Sequence, residues 1–173
     1  LFDNPTQMQG RISPDGQWVS WLAPVGGVMN VWVGPSRDPG AAKPVTFEAE
    51  RGIARHYWNM DSKFILYTQD QGGNENYHVY AAALDGGGVR DLTPVADGVR
   101  ATILSMSRER PEVILVGLND RDPQFFDIHE VDIATGKRSL LAENPGYRSW
   151  GIDNMLVPRT DWQQLPGGSR NLL

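Results

Sequence analysis

Short apolar runs separated by turn residues recur along the chain. Trp18–Leu22, Phe64–Tyr67 and Val113–Val116 are four or five residues long and rich in valine, isoleucine, tryptophan and tyrosine. Runs of this length and composition, bounded by glycine or proline, predict β-strands and argue against helices. Their apolar character is nearly continuous rather than alternating. This is typical of a sheet that is covered on both faces.

These runs belong to a repeat. Phe64 and Val113 are 49 residues apart, as are Tyr80 and His129, while Trp18 lies 46 residues before Phe64. A period of about 40–50 residues with four short strands in each unit predicts β-propeller blades. We therefore predict an all-β fold, a partial β-propeller of about three and a half four-stranded antiparallel blades. The predicted blades cover residues 8–47, 52–94, 99–142 and, in part, 146–173.

The meander geometry of a blade predicts where functional residues lie. Turns between the second and third strands emerge at the same rim as the connectors between blades. Loops carried on a rigid scaffold often hold binding residues, so we predict the functional face at this rim. The segments expected there are Glu48–Arg55, Asp70–Asn76, Ala96–Arg100 and Asp120–Phe126.

Composition removes several classes of function. The chain has no cysteine, which excludes disulfides, thiolate nucleophiles and cysteine-ligated metals. A net charge of −5 argues against nucleic acid as a partner. No apolar stretch approaches the roughly 20 residues of a membrane helix, so no membrane partner is expected. The 19 glycines and 12 prolines fit a turn-dense β fold. Localisation stays open between cytoplasm and periplasm.

Several segments together resemble a known family. Ile12–Gly16, Asn30–Val33, Leu66–Tyr80, Val89–Pro94 and Asp127–Gly136 resemble the N-terminal propeller of the prolyl oligopeptidase family of serine peptidases. The likeness is greatest to its acylaminoacyl-peptidase and dipeptidyl-aminopeptidase branch. The resemblance implies a propeller of about seven or eight blades. It also implies that this propeller covers a C-terminal α/β-hydrolase domain, which carries a Ser–Asp–His triad.

The sequence departs from that family pattern in one respect. It contains no Gly-x-Ser-x-Gly elbow, and Gly167-Gly168-Ser169 lacks the second glycine two residues later. We interpret the chain as an N-terminal fragment that ends before the hydrolase domain, with no catalytic residue and no activity alone. The expected function is substrate gating and exosite binding for a peptidase that acts on short peptides or acyl-peptides. The expected partners are a peptide substrate and the missing hydrolase domain.

An open arc of blades also has consequences for assembly. Blades contact only their neighbours, so an arc that is not closed exposes an apolar face at each end. We predict a homodimer through these open blade faces.

Four rim residues are candidates for substrate contact: Glu75, Asn76, Asp120 and Arg121. Glu75 could bind the α-amino group of a peptide, because a buried ammonium needs an anion. The Asp70–Asn76 loop could alternatively hold calcium, but it lacks the ligand spacing of an EF-hand and is better interpreted as a solvated hairpin. The three histidines have no ligand-like spacing. We expect no metal and no cofactor.

Two other functions remain open at this stage. The first is a binding scaffold without an enzyme, of the periplasmic Tol-system type, which docks protein partners. The second, for which the sequence gives less support, is a propeller enzyme with its chemistry in the central channel. It would need histidines and carboxylates converging at the channel mouth, and the sequence does not show them.

Overall fold

Four antiparallel β-sheets follow one another along the chain. They are seen in a computed structural model, which describes residues 6–164 and 170–172. In each sheet the strands pair in chain order, as in a meander. Gly167–Ser169, discussed above as an incomplete elbow, lies outside the described residues, as does part of the predicted fourth blade. None of the described helices is long and apolar enough to cross a membrane.

The sheets have the following strands. The first consists of β1 (Met8–Ile12), β2 (Trp18–Val25), β3 (Val28–Pro35) and β4 (Lys43–Pro44), with a 3₁₀ turn at Pro39–Ala41. The second consists of β5 (His56–Trp58), β6 (Phe64–Gln69), β7 (His78–Ala83) and β8 (Val89–Asp91). The third consists of β9 (Ala101–Met106), β10 (Val113–Asp122), β11 (Phe125–Asp132) and β12 (Arg138–Ala142). The fourth consists of β13 (Ser149–Ile152), β14 (Pro158–Gln164) and β15 (Arg170–Leu172). The predicted all-β class and four-stranded antiparallel units are confirmed.

The second strands of the second and third sheets each pack against two neighbouring sheets. In β10, Ile114 belongs to an apolar cluster shared with the second sheet, whereas Leu115 belongs to a cluster shared with the fourth. In β6, Leu66 faces the third sheet and Ile65 faces the first. Successive side chains of a strand point to opposite faces. The continuous apolar runs in the sequence therefore reflect burial on both faces.

In the first two sheets, buried hydrogen bonds join the third strand to the chain that follows the fourth. Thr46 Oγ1 accepts a hydrogen bond from the backbone N–H of Val31 at 2.8 Å, and Thr93 Oγ1 accepts one from Val79 at 2.8 Å. Asn30, which is fully buried, accepts a further bond from the Thr46 hydroxyl at 2.9 Å. Because buried polar groups need such partners, these bonds hold the departing chain in a defined direction. They fix the start of each connector at the rim.

Candidate functional site

The first connector packs against the loop between β6 and β7. Arg51 Nε lies 3.2 Å from Asp70 Oδ1, an ion-pair contact without hydrogen-bond geometry. Gln69 Nε2 donates a hydrogen bond to the carbonyl oxygen of Arg51. The Asp70 carboxylate is fully buried, and a buried charge needs an oppositely charged partner. These contacts bring the segments Glu48–Arg55 and Asp70–Asn76 together on one rim.

Glu75 has a backbone conformation that residues other than glycine rarely adopt. Its φ is 60°, in the left-handed region. Its N–H donates a hydrogen bond to Asp70 Oδ2 at 2.9 Å, which holds the loop closed. The Glu75 side chain is exposed, while Asn76 is half-buried and its N–H bonds to Asn74 Oδ1 at 3.0 Å. The Glu75 carboxylate therefore projects from the rim on a strained but well-braced backbone.

The geometry of Asp70 argues against a calcium loop. One carboxylate oxygen faces Arg51 and the other accepts the N–H of Glu75. The carboxylate is fully buried, so a cation would have to displace the Arg51 guanidinium to reach Oδ1. Within residues 6–164 and 170–172, no group of three or more histidine, aspartate or glutamate side chains is placed to hold a metal ion.

The second predicted loop is shorter than expected. β10 continues through Asp122, so Asp120 and Arg121 lie on a strand, and their assignment to a loop is wrong. The reason is local: Asp122 pairs with Phe125, and its Oδ1 accepts the N–H of Gln124 at 2.9 Å. These contacts satisfy a two-residue turn and allow the hairpin to extend to its tip. Asp120 is exposed at this tip.

Arg121 is held in an ion pair with a buried carboxylate. Its Nε and Nη2 donate hydrogen bonds to the two carboxylate oxygens of Asp127, both at 2.8 Å. Nη2 also donates to the carbonyl oxygen of Asn144 at 2.9 Å. The hydrogen bonds from Arg121 hold the pKa of Asp127 below its ordinary value. Arg121 thus joins the β10–β11 hairpin to the connector that leads to the fourth sheet.

Asn144 shapes that connector. Its Oδ1 accepts the N–H of Gly146 at 2.9 Å and that of Tyr147 at 2.6 Å, while its Nδ2 donates to the Tyr147 carbonyl oxygen at 3.0 Å. Tyr147 is placed so that its ring meets Trp150 edge to face, with centroids 5.4 Å apart. The buried network of Asp127 and Asn144 therefore positions an aromatic pair on the rim.

A groove runs over the same rim between the second, third and fourth sheets. It consists of a cavity of about 710 Å³ and one of about 400 Å³, and Thr102 and Phe126 line both. The guanidinium carbon of Arg100 lies 5.8 Å from the centroid of the Phe126 ring. Arg148 lines the larger cavity. Cavities of this size with apolar walls and a few polar groups are typical of ligand sites.

The sequence-predicted candidates fall into two separate pairs. Glu75 and Asn76 lie in the loop between β6 and β7 of the second sheet, whereas Asp120 and Arg121 lie on β10 of the third. No hydrogen bond or ion pair among the described residues joins the two pairs. Sequence reasoning missed the side chains that line the groove. One signal for it was Gly117, an interruption of the apolar run in β10, since a glycine within a strand often marks a close approach. A Cβ there would lie 3.1 Å from Phe126 Cβ.

A buried serine–histidine contact lies away from the rim groove. Ser20 Oγ and His56 Nε2 are 2.9 Å apart, and both residues are fully buried. Within residues 6–164 and 170–172, His56 Nδ1 has no hydrogen-bond partner. Burial, and secondarily the charge of Arg11, lowers the pKa of His56 to about 4. Both residues are buried, and no carboxylate among the described residues bonds to the imidazole ring. The pair is therefore a packing contact between the first two sheets rather than a nucleophile and base.

This histidine makes stability depend on pH. Its folded pKa of about 4 is below its unfolded value of 6.5, so the unfolded chain binds more protons as the pH falls between these values. We expect His56 to cost about 2 kcal/mol of unfolding free energy between pH 7 and pH 5. Urea unfolding across this range measures the loss, and His56→Gln should flatten the slope. An unchanged slope in the variant would contradict the assignment.

A buried tyrosine of β6 contacts the first connector. Tyr67 donates a hydrogen bond from its hydroxyl to Glu48 Oε1 at 3.0 Å and stacks on Tyr80 with centroids 5.2 Å apart. Burial, together with the charge of Glu48, raises the pKa of Tyr67 above its ordinary value. Tyr67 is therefore a neutral hydrogen-bond donor that fixes the start of the first connector.

Comparison of the sequence with known proteins identifies peptidase relatives. No protein-family model matches the chain. Dipeptidyl aminopeptidase BIII of Pseudoxanthomonas mexicana is 44% identical over 144 residues, which cover 83% of this chain and 21% of that protein. Dipeptidyl peptidase family member 6 of Caenorhabditis elegans is 29% identical over 175 residues, which cover 97% of this chain and 23% of that protein. The chain thus spans between a fifth and a quarter of the length of these curated relatives.

Solved structures with the same architecture are β-propellers. The β-propeller domain of the Trilobed protease from Pyrococcus furiosus matches with a TM-score of 0.65 and 18% identity, covering 96% of this chain and 53% of that chain. Acylaminoacyl peptidase from Pyrococcus horikoshii matches with a TM-score of 0.56 and 19% identity, covering 80% and 25%. TolB from Acinetobacter baumannii matches with a TM-score of 0.57 and 13% identity, covering 96% and 40%. At these identities the likeness shows the fold alone, and the predicted β-propeller is confirmed. The Tol-type alternative is not better supported, because the sequence relatives are peptidases.

Proposed function

Because the chain is a β-propeller portion of the prolyl oligopeptidase family, we propose that it gates substrate access and supplies exosite contacts in a serine-type peptidase. The substrates would be short peptides or acyl-peptides. The observation that carries this proposal is the 44% identity to a dipeptidyl aminopeptidase over 83% of the chain. The buried Ser20–His56 contact offers no accessible nucleophile, so the triad would lie in a hydrolase domain that partners this propeller.

The rim supports the exosite role. Its connectors and loop are braced by buried polar contacts such as Asp70 with Arg51 and Asp127 with Arg121, which keep the surface rigid. Rigid surfaces bind with a smaller loss of conformational entropy than mobile ones.

The activity can be tested on the full-length protein that contains this sequence. We expect the full-length protein to hydrolyse a fluorogenic dipeptidyl amide. We also expect a fluorophosphonate probe to label one serine outside this chain. Replacing that serine with alanine should abolish both hydrolysis and labelling. Hydrolysis that persists after complete labelling by the probe would contradict a serine-type mechanism.

Glu75 is proposed to bind the free α-amino group of the substrate. Its carboxylate is exposed on the rim and its backbone is held by Asp70. An exposed ion pair stabilises binding by about 0.2–1 kcal/mol, so Glu75→Gln should reduce the preference for free over acetylated N-termini by about two- to fivefold in kcat/KM. The matched control is Glu109→Gln, an exposed glutamate on the turn between β9 and β10. Unchanged discrimination in the Glu75 variant would exclude this role.

Assembly is proposed to proceed through the open face of the first sheet. Trp21 and Trp32 are directly opposite each other in β2 and β3 and are only partly buried, on the face turned away from the second sheet. Such an apolar pair favours a covering partner. We propose blades at 8–47, 52–94, 99–142 and 146–173, with this face covered by a further blade or, in the isolated chain, by a second copy. Light scattering that gives the mass of a single chain at all concentrations would exclude the homodimer.

A further inference from the structure

The larger cavity of the rim groove has aromatic walls. It has a volume of about 710 Å³ and is lined by Phe125, Phe126, Tyr147 and Trp150. Trp150 Nε1 is buried, and no acceptor among the side chains and backbone that the structure describes bonds to it. A buried indole N–H normally bonds to an acceptor, so this donor would gain from one brought by a ligand. The cavity is therefore suited to a flat apolar group that carries a carbonyl or carboxylate oxygen.

Gly117 contributes to the shape of this groove. A Cβ at this position would lie 3.1 Å from Phe126 Cβ and 3.2 Å from Thr102 Cγ2, closer than most such contacts. Phe126 can therefore settle onto β10 only because residue 117 has no side chain. The ring then forms the wall shared by both cavities.

Two cations accompany the aromatic walls. Arg148 lines the larger cavity and Arg100 the smaller, and both are exposed. Neither forms an ion pair with a carboxylate in the part of the chain that the structure describes, in contrast to Arg121. Arg100 is held against the Phe126 ring, so its orientation is set by a cation–π contact. The net charge of the chain is −5. The two arginines therefore make the charge beside this apolar groove positive on a chain that is negative overall.

We propose that the groove binds the carboxyl-terminal residue of a peptide, with an aromatic side chain against Tyr147 and Trp150 and the α-carboxylate on Arg148. Only at a chain end do an aromatic side chain and a carboxylate share one Cα, which matches Arg148 and Trp150 lining the same cavity. Arg100 stays stacked on Phe126 and keeps the potential around the groove positive. This proposal rests on the proposed function, because it names the part of a peptide substrate that the propeller holds.

The aromatic side chain and the α-carboxylate of the peptide are expected to contribute unequally to binding. Burying an aromatic side chain stabilises binding more than an exposed ion pair does. We therefore expect acetyl-Gly-Phe to bind this chain about tenfold more tightly than acetyl-Gly-Ala. We expect the carboxylate form to bind about two- to fivefold more tightly than the matching amide.

Binding can be followed at one atom. In ¹⁵N-labelled chain, the indole N–H resonance of Trp150, assigned with Trp150→Phe, should shift saturably as acetyl-Gly-Phe is added. Arg148→Gln should make acid and amide bind equally, whereas Arg37→Gln, which alters an exposed arginine of the first sheet, should preserve the ratio. Gly117→Ala should weaken binding of the phenylalanine peptide by displacing Phe126, with less effect on the alanine peptide.

Any one of the following results would overturn the proposal. The Trp150 resonance shows no saturable shift at millimolar peptide, the phenylalanine and alanine peptides bind with equal affinity, or Arg148→Gln leaves the ratio of acid to amide affinity unchanged. A peptide with an internal glutamate that binds as tightly as the C-terminal phenylalanine peptide would also contradict recognition of a chain end. The test needs no catalysis, so its failure alongside intact hydrolysis by the full-length protein would remove the groove assignment alone.

Discussion

Replacing Ile114 with alanine is expected to lower the free energy of unfolding by about 3–4 kcal/mol. Ile114 is fully buried in the cluster that joins the second and third sheets. The alanine variant loses the transfer free energy of the deleted groups and leaves a cavity between two sheets whose hydrogen-bonded strands cannot collapse into it. Urea unfolding of the chain followed by tryptophan fluorescence measures the change in midpoint.

The matched control is Leu140→Ala. Leu140 is an aliphatic residue of the same size as isoleucine and also belongs to the third sheet, but it lies on β12 and is 53% exposed. Its replacement should change stability by less than about 0.5 kcal/mol. Equal losses at the two positions would mean that packing between sheets is not what stabilises the fold.

Replacing Asp127 with alanine should cost about 3 kcal/mol. The Asp127 carboxylate is 3% exposed and accepts hydrogen bonds from Arg121 and from the backbone N–H of Asn144. Its removal leaves that buried N–H without an acceptor and frees the connector from the hairpin. Asp127→Asn should cost less, because the amide oxygen can still accept the N–H of Asn144. Thermal or urea unfolding of both variants checks the order.

The Asp127 prediction also has a pH signature. Because its folded pKa is lowered, chiefly by Arg121, its stabilising contribution is present above the unfolded value of 3.8. It is lost as the pH falls through the lower folded pKa. That window lies below the range in which His56 acts. If Asp127→Asn lost as much stability below pH 4 as the unaltered chain, the ion pair would not be the cause.

The repeat and the burial of its strands could be predicted from the sequence for a physical reason. A strand covered on both faces must be apolar at successive positions. The apolar run Val113–Leu118 therefore predicts a neighbouring sheet on each face of β10. Ile114 and Leu115 indeed contact different sheets. Local sequence patterns report local burial, and blades repeat that pattern at a fixed period.

The details of the rim could not be predicted in the same way. The length of the β10–β11 hairpin depends on side-chain bonds at Asp122, and the pairing of Arg121 depends on Asp127 being buried beside the connector. The groove brings together residues as distant in sequence as Tyr77 and Phe126. Contacts between separate segments leave no periodic signal in the sequence. The prediction of Asp120 and Arg121 as substrate contacts therefore rests only on their charge and their position in the repeat.

The proposed gating role, in which this propeller would restrict a peptidase to short chains, can be tested on substrate length. The most direct measurement compares, in the full-length protein, kcat/KM for a short peptide with that for the same cleavable sequence at the start of an unfolded polypeptide roughly tenfold longer. We expect kcat/KM to be much higher for the short peptide. Ile114→Ala loosens the contact between two sheets and should reduce the ratio of the two kcat/KM values. Equal rates for both substrates, unchanged by Ile114→Ala, would contradict the gating role.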